Sequence, residues 1–239
     1  MFHPQGPTFW ELARQCLSST ERGYDLLAPK FDFTPFRTPD FILNAMAQCL
    51  GEARSIDAAL DICTGTGAAI PILRPLCRRR VVGIDFSRGM LEVARRRFSD
   101  EPDQAAVELV CGDVLQMDFR EEFDLAVTAG SLGHILPKDE PLFVERIAAA
   151  LRPGGRFVFV TAELPPWWTR RALFSRAFNA AMLVRNAIWR PPFIMYYLTF
   201  LLPQVQRLLE QHGFDVNVRD DLFNGPFRPL RAVVATKRE

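Results

Sequence analysis

"ALDICTGTGAAI", residues 59–70, is the stretch from which the fold can be read. A short apolar run carrying one acid, Asp61, breaks into a turn with glycines at 65 and 67, then resumes as a helix-like pattern. Gly65 and Gly67 allow backbone N–H groups to approach a ligand without a Cβ in the way, at the start of a helix. A strand that runs into such a turn opens a βα unit, so the neighbouring runs should show whether further units follow.

They do. "RVVGIDF", "AVELVCGD", "FDLAVTAG" and "GRFVFVTAE" are continuously apolar, as are strands covered on both faces. Helix-like segments lie between the runs: "GAAIPILRPLC", "GMLEVARRRFSD" and "PLFVERIAAALRPGG", the last expected to stop at Pro153-Gly154-Gly155. This alternation predicts right-handed crossovers and a parallel sheet. Near the C-terminus "FDVNVRDD" and "LRAVVATK" are joined only by "DLFNGPFRP", too short for a crossover helix, so an antiparallel hairpin is expected at one end of the sheet. The expected fold is α/β: a Rossmann-like, doubly wound, mostly parallel seven-stranded sheet with an antiparallel C-terminal hairpin.

Two regions flank this core within what is expected to be one domain over residues 1–239. Residues 8–50 should form N-terminal helices, with the Pro- and Phe-rich connector "APKFDFTPFRTP" inside them. Residues 164–203 interrupt the alternation after the fifth strand and should form a helical cap. The cap carries five arginines and no acid, and it is dense in Trp, Phe, Tyr and Met.

Composition narrows the function. Apolar residues make up 49% and charged residues 24% of 239, with a formal net charge of +1. That balance lacks the dense basic face that general nucleic-acid binding needs, so no nucleic-acid partner is expected. The five cysteines are widely spaced, with no CxxC pair or His/Cys cluster, so neither a metal site nor a disulfide framework is expected. A reducing cytoplasm fits best. The N-terminus lacks the basic start and apolar core of a signal peptide. The longest uncharged run, 191–206, is short for a membrane span and holds three prolines, so the chain is read as not membrane-spanning.

In an open parallel sheet, ligands bind beyond the carboxyl ends of the strands. Four acidic or glycine features converge there: Asp61 within the first strand, the glycine turn, Asp85 ending the second strand and Asp113 ending the third. A dinucleotide enzyme shares the turn and the acid at Asp85, but it wants a third glycine where Ile70 stands, and Asp61 would repel a pyrophosphate. An aminoacyl sulfonium reverses the charge argument, because its ammonium and sulfonium are cations. Asp85 suits ribose hydroxyls, and Asp113 with the Val114 backbone N–H suits an adenine edge. The ligand read from the turn is S-adenosylmethionine (SAM), with S-adenosylhomocysteine as product, rather than NAD. For an isolated Asp85 or Asp113, the competing role is a strand-end cap or turn former.

"LDICTGTG", "VVGIDFSRGML", "CGDVLQMDF", "FDLAVTAGSLGHI" and "ALRPGGRFVF", in that order over residues 40–162, resemble the class I SAM-dependent methyltransferases. "YDLLAPKFDFTPFRTP" is similar to the segment ahead of the fold in the ubiquinone/menaquinone-methyltransferase-like group. One departure stands out: the first glycine of the family's glycine motif is Cys63 here. The resemblance implies that Asp61, Gly65 and Gly67 lie at the methionine end of the cofactor, with Cys63 and Ala129 also among the cofactor-binding residues. It further implies that Asp85 grips the ribose, Phe86 lies against the adenine, and Asp113 and Val114 meet the adenine edge.

Methyl transfer is an in-line displacement, so the protein chiefly aligns the acceptor, and a base is needed only if the acceptor must lose a proton. The fourth strand opens into "TAGSLGHI", without the Asn/Asp-Pro-Pro-aromatic motif of amine methylation on DNA bases and protein glutamine, which leaves a small molecule as acceptor. His134 is the candidate catalytic base, against a packing or helix-capping role. His3 and His212 are expected at the surface. Tyr24, a cofactor-binding candidate, and Arg37 close over the cofactor or meet substrate, against a role in anchoring the N-terminal helices to the sheet. The cap's aromatic and Met content suggests an apolar acceptor, quinone-, phenol- or polyketide-like, taken up on oxygen or carbon. Its arginines among apolar residues also suit peripheral contact with an anionic membrane through 164–203. The bland alternative is that these residues are the core of a helical cap with solvated arginines outside. A non-catalytic SAM-binding partner or regulatory protein is the rival function.

Overall fold

In the computed structural model, which describes residues 3–98 and 103–239, seven strands form one sheet in the order β3-β2-β1-β4-β5-β7-β6. The central strand β1 (Ile56–Ile62) pairs in parallel with β2 (Cys77–Asp85) on one side and β4 (Phe123–Thr128) on the other. Beyond them lie β3 (Ala106–Cys111), parallel to β2, and β5 (Leu151–Ala162), parallel to β4. Strand order therefore reverses between β1 and β4, and the carboxyl ends of these two strands flank a crevice. The C-terminal pair, β6 (Phe214–Arg219) and β7 (Leu230–Lys237), is antiparallel, with β7 inserted between β5 and β6. The expected fold class holds.

The apolar runs form central strands because both faces are covered. Ala58, Leu60 and Ile62 of β1 enter one core with Phe143 and Ile147, while Ala59 enters a second core with Leu43, Met46 and Leu73. Those partners come from α6 (Glu140–Ala150) on the first face, and from α3 (Asp40–Ala47) and α4 (Ile70–Leu73) on the second. The exception is β3, expected to be covered on both faces. It is the edge strand and none of its residues is fully buried. The connection from β3 to β4 contains no helix, so Val107, Leu109 and Val110 are only partly covered by the two cores and by α5 (Arg88–Arg97). Two residues of the helical segment expected here, Ser99 and Asp100, lie outside the described residues.

The junction of α6 and β5 differs from expectation. Helix α6 ends at Ala150, not at Pro153, because Leu151 already pairs with Phe123 of β4. Arg156 is then opposite Leu125, so residues 152–155 bulge out of β5. Gly154 there adopts φ +74, and a Cβ on Gly155 would lie 2.8 Å from the Arg152 carbonyl.

The N-terminal region builds α1 (Phe9–Cys16), α2 (Thr20–Leu27), a 3-10 turn over the connector, and α3. The cap leaves β5 at Ala162 and returns at Leu202, whose N–H donates to the Ala162 carbonyl at 3.1 Å. Between these points lies α7 (Arg170–Ile188), followed by an irregular return segment and then α8 (Gln204–Gln211). The region expected to be a helical cap is thus one long helix plus an extended strap. Among the described residues, no helix is long and apolar enough to cross a membrane.

Candidate functional site

The chain leaves β1 through three left-handed residues: Cys63 at φ +55, Gly65 at φ +55 and Gly67 at φ +82. Each has a different local reason. Cys63 carries the strain of a side chain in that region, worth about 1 kcal/mol. At Gly67 a Cβ would lie 2.5 Å from the Phe98 ring, so glycine alone fits. At Gly65 a Cβ would meet nothing within 4 Å, because the turn opens there onto a cavity. The turn is held by the Thr64 N–H, which donates to the Ile84 carbonyl at 3.0 Å, and by the Gly67 N–H, which donates to the Thr64 carbonyl at 2.8 Å.

Two buried acids stand behind this turn. Asp85 accepts the Gly65 N–H at 2.9 Å on one oxygen and the Ser87 N–H at 2.8 Å on the other. Burial pushes its carboxyl above the usual range, the two N–H bonds pull it back, and Asp25 adds to the rise. Asp61, 2% exposed, accepts the Thr64 hydroxyl at 2.5 Å. Burial pushes its carboxyl up to about 7 against that bond, with the charge of Asp85 adding to the rise. Burial, then the same Asp85 charge, raises the Cys63 thiol.

Of the residues singled out from the sequence, Tyr24, Cys63, Gly65, Asp85, Phe86, Ala129 and His134 line this cavity together. Asp61 sits behind the wall, linked to it through Thr64. Gly67 supports the turn without lining it. Asp113 is exposed at the end of β3, where its carboxylate accepts the Leu115 N–H at 2.9 Å, and Val114 beside it is buried. This edge reaches the site indirectly, since the Gly112 N–H donates to the Asp85 carbonyl at 3.0 Å. Arg37 pairs with Asp40 at 2.8 Å and does not line the cavity. His3 is exposed and stacks on Phe33, while His212, expected at the surface, is half-buried and donates through Nδ1 to the Leu208 carbonyl at 2.8 Å.

Tyr24 and His134 form a pair across the cavity wall, with Tyr24 Oη 2.7 Å from His134 Nε2. The opposite ring nitrogen, Nδ1, lies 2.5 Å from the Ile194 carbonyl of the cap strap. A carbonyl only accepts, so Nδ1 carries the proton and Nε2 accepts the Tyr24 hydroxyl. Burial lowers the His134 pKa despite the Ile194 bond, and burial raises that of Tyr24, with Asp85 next and Cys63 after it. At neutral pH the pair is therefore uncharged. Phe86 meets the Tyr24 ring edge-on at 6.3 Å, and Phe193 of the strap stacks on it at 6.5 Å.

The sequence singled out no partner for two acids, Asp25 of α2 and Asp32 of the connector, that strap the N-terminal region onto the sheet. Asp25 accepts the Ser87 hydroxyl at 2.7 Å and the Gly89 N–H at 2.8 Å, at the start of α5. Asp32 accepts the Thr66 hydroxyl at 2.7 Å and pairs with Arg97. Phe31, Phe36 and Thr38 of the same connector line the cavity, and Thr38 donates to the Ala129 carbonyl at 3.0 Å. Their only signal in the sequence was membership of "YDLLAPKFDFTPFRTP". Among the described residues, no group of three His, Cys, Asp or Glu is placed to hold a metal ion.

Known proteins support this architecture. A family model described as "Methyltransferase domain" matches residues 59–155, which covers the glycine turn, Asp85, Asp113 and His134. The chain is 29% identical over 166 residues to a demethylmenaquinone methyltransferase of Symbiobacterium thermophilum, a match covering 68% of this chain and 57% of the relative. It is 32% identical over 127 residues to a 2-phytyl-1,4-naphtoquinone methyltransferase of Nostoc punctiforme, covering 52% of this chain and 54% of the relative. The chain thus spans little more than half the length of these two curated relatives. In three dimensions it is similar to a phosphoethanolamine N-methyltransferase 2 of Haemonchus contortus solved with S-adenosylhomocysteine. That likeness has a TM-score of 0.62 and 19% identity, over 82% of this chain and 52% of the other.

Proposed function

We propose that the chain is a class I SAM-dependent methyltransferase and transfers the methyl group of SAM to oxygen or carbon of a small apolar acceptor, quinone-, phenol- or polyketide-like. The observation that carries this is the cavity at the ends of β1, β2 and β4, where a buried carboxylate and an open glycine turn face a wall of aromatic rings. The names of the two quinone-methylating relatives support the acceptor class.

The residues fit the cofactor's chemistry. Asp61 is a fully buried acid whose hydrogen bond comes from the neutral Thr64 hydroxyl, an arrangement that a cationic ammonium group would complete. Asp85 keeps lone pairs beyond its two N–H bonds, enough for a ribose diol. Gly65 offers bare backbone to the amino-acid end, with Cys63, Gly67 and Ala129 shaping the turn and its opposite wall. Phe86 takes the adenine face, Asp113 and Val114 its edge, and Tyr24 covers the site. SAM supplies an electrophilic methyl carbon on a sulfonium.

The chain's own chemical work is alignment and proton handling. His134 is the base of the pair, and Tyr24 relays to it: an acceptor hydroxyl or acidic C–H gives its proton to Tyr24 Oη while the Tyr24 proton moves to Nε2. A base whose pKa burial has lowered suits an acceptor that is itself acidic, such as a phenol or a carbon flanked by carbonyls. Replacing Tyr24 with Phe should leave SAM affinity nearly unchanged and cut turnover by about 100-fold or more.

The whole chain acts as one domain in the cytoplasm. The test is methyl-labelled SAM mixed with purified protein and a cell extract, then split between organic and aqueous phases. Label in the organic phase supports an apolar acceptor. Label confined to water-soluble product refutes the acceptor class, and no transfer together with tight SAM binding leaves the chain a SAM-binding partner or regulatory protein.

A further inference from the structure

Helix α7 (Arg170–Ile188) carries amides on its inner face, beside Ala172 and Phe178, and leaves an apolar stripe outside. A surface helix normally lays its apolar stripe on the core and its polar side chains in water. Here Asn179 and Asn186, seven residues apart and so on one face, point inward. Asn179 exchanges two hydrogen bonds with the Tyr197 backbone, at 2.7 and 2.8 Å, and Asn186 does the same with Phe193, at 3.0 and 2.9 Å. Arg185 donates to the carbonyls of Cys16, Ser18 and Pro191. These polar groups hold the helix to the strap and to the end of α1 through backbone contacts. Only Ala172 of the 19 residues is buried.

The opposite face is apolar and open. Leu173, Ala177, Ala180, Val184 and Ile188 recur at helical spacing, and Leu173, Val184 and Ile188 are 55%, 58% and 77% exposed. Exposed tryptophans stand at both ends: Trp167 and Trp168 before the helix, Trp189 after it. Arg170 and Arg176 lie exposed at the edge of the stripe, and no acid occurs from 164 to 203.

We propose that the outer face of α7, with Trp167, Trp168 and Trp189 at its ends, docks on an anionic phospholipid surface. An apolar stripe with indoles at its ends and arginines at its edge matches the boundary between headgroups and acyl chains. The charge argues for lipid over a second copy of the chain: a two-fold contact through this face would set arginines against arginines, with no acid in the cap to pair them. An anionic headgroup layer supplies the missing partner. The assignment rests on the cap alone and stands whether or not the proposed acceptor is correct. It also has a consequence for access, since the strap that α7 holds is the same segment that contacts His134 and Gly133.

The experiment is co-sedimentation of the purified full chain with phosphatidylcholine vesicles and with phosphatidylcholine–phosphatidylglycerol vesicles, at low and high salt. The expected result is binding to the anionic vesicles at least about tenfold stronger than to the neutral ones, weakened by salt, with a blue shift of Trp emission. The double variant Leu173→Ser/Val184→Ser should lose at least about tenfold of that binding. Its melting temperature and S-adenosylhomocysteine affinity should stay unchanged, which separates docking from folding and from the cofactor site. No binding to anionic vesicles at low salt overturns the proposal, and so does undiminished binding by the variant. A dimer in light scattering that the variant abolishes, without vesicle binding, assigns the face to self-association and overturns it as well.

Discussion

Between Cys63 and Gly67 the chain places three left-handed residues in five and hides two acids behind them. Between Arg170 and Ile188 it runs as an unbroken helix with a single buried residue. Both regions satisfy buried polar groups, but by opposite means. In the turn, backbone N–H groups and a hydroxyl come to carboxylates that β1 and β2 carry into the interior. In α7, side-chain amides and a guanidinium reach out to the backbone of an irregular strap. The turn is fixed by the sheet and tolerates little change. The helix is fixed on one side by a few polar contacts and by the Phe178 ring against Tyr197, and its outer side is free of packing constraints. A ligand site needs the first kind of rigidity, and a docking surface needs the second kind of openness.

The comparison breaks first at Gly67. Gly67→Val puts a β-branched residue at φ +82 against the Phe98 ring, and should cost about 3 kcal/mol or more in chemical denaturation. A smaller loss would show that the turn adapts as freely as the cap. Asp85→Ala removes the acceptor of two N–H groups, and should weaken SAM about 100-fold by calorimetry, or about 2.7 kcal/mol. Unchanged affinity would take Asp85 out of the binding site.

A pH effect sharpens the contrast. The Asp61 carboxyl keeps its proton up to about pH 7 in the folded chain, against a reference near 3.8. A raised folded pKa favours the folded state at low pH, and that advantage fades as pH rises from about 3.8 through about 7. A cationic ligand reverses the trend, because it binds the ionised form. SAM affinity should therefore rise by up to about tenfold per pH unit between pH 5 and 7, with a proton released on binding, and Asp61→Asn should flatten the profile. The smallest effect belongs to the cap: Leu183→Ser, at a residue 60% exposed, should change stability by less than about 0.5 kcal/mol. A large loss there would mean that α7 packs against something other than the strap.

Strands β1, β2, β4 and β5 were legible because burial on both faces leaves a continuous apolar run, and the turn was legible because left-handed geometry selects glycine. The end of α6 was misplaced because Pro153-Gly154-Gly155 serves a bulge as readily as a helix stop, and only the pairing of Leu151 with Phe123 separates the two. The exposure of β3 was hidden because an edge strand depends on what packs beside it, not on its own residues. Asp25 and Asp32 passed unnoticed because their partners, Ser87, Gly89, Thr66 and Arg97, lie 34 to 65 positions away.

By itself, the amino-acid order determined what depends on local chemistry: the alternation of strands and helices, the glycine turn, the acids at strand ends and the unusual composition of the cap. Tertiary structure decided which of those groups meet. It joined Tyr24 to His134 across 110 positions, set Thr64 between Asp61 and the cavity, and turned the apolar face of α7 outward. Local pattern reports which face of an element is apolar, but the side on which that face finds a partner depends on contacts between distant segments.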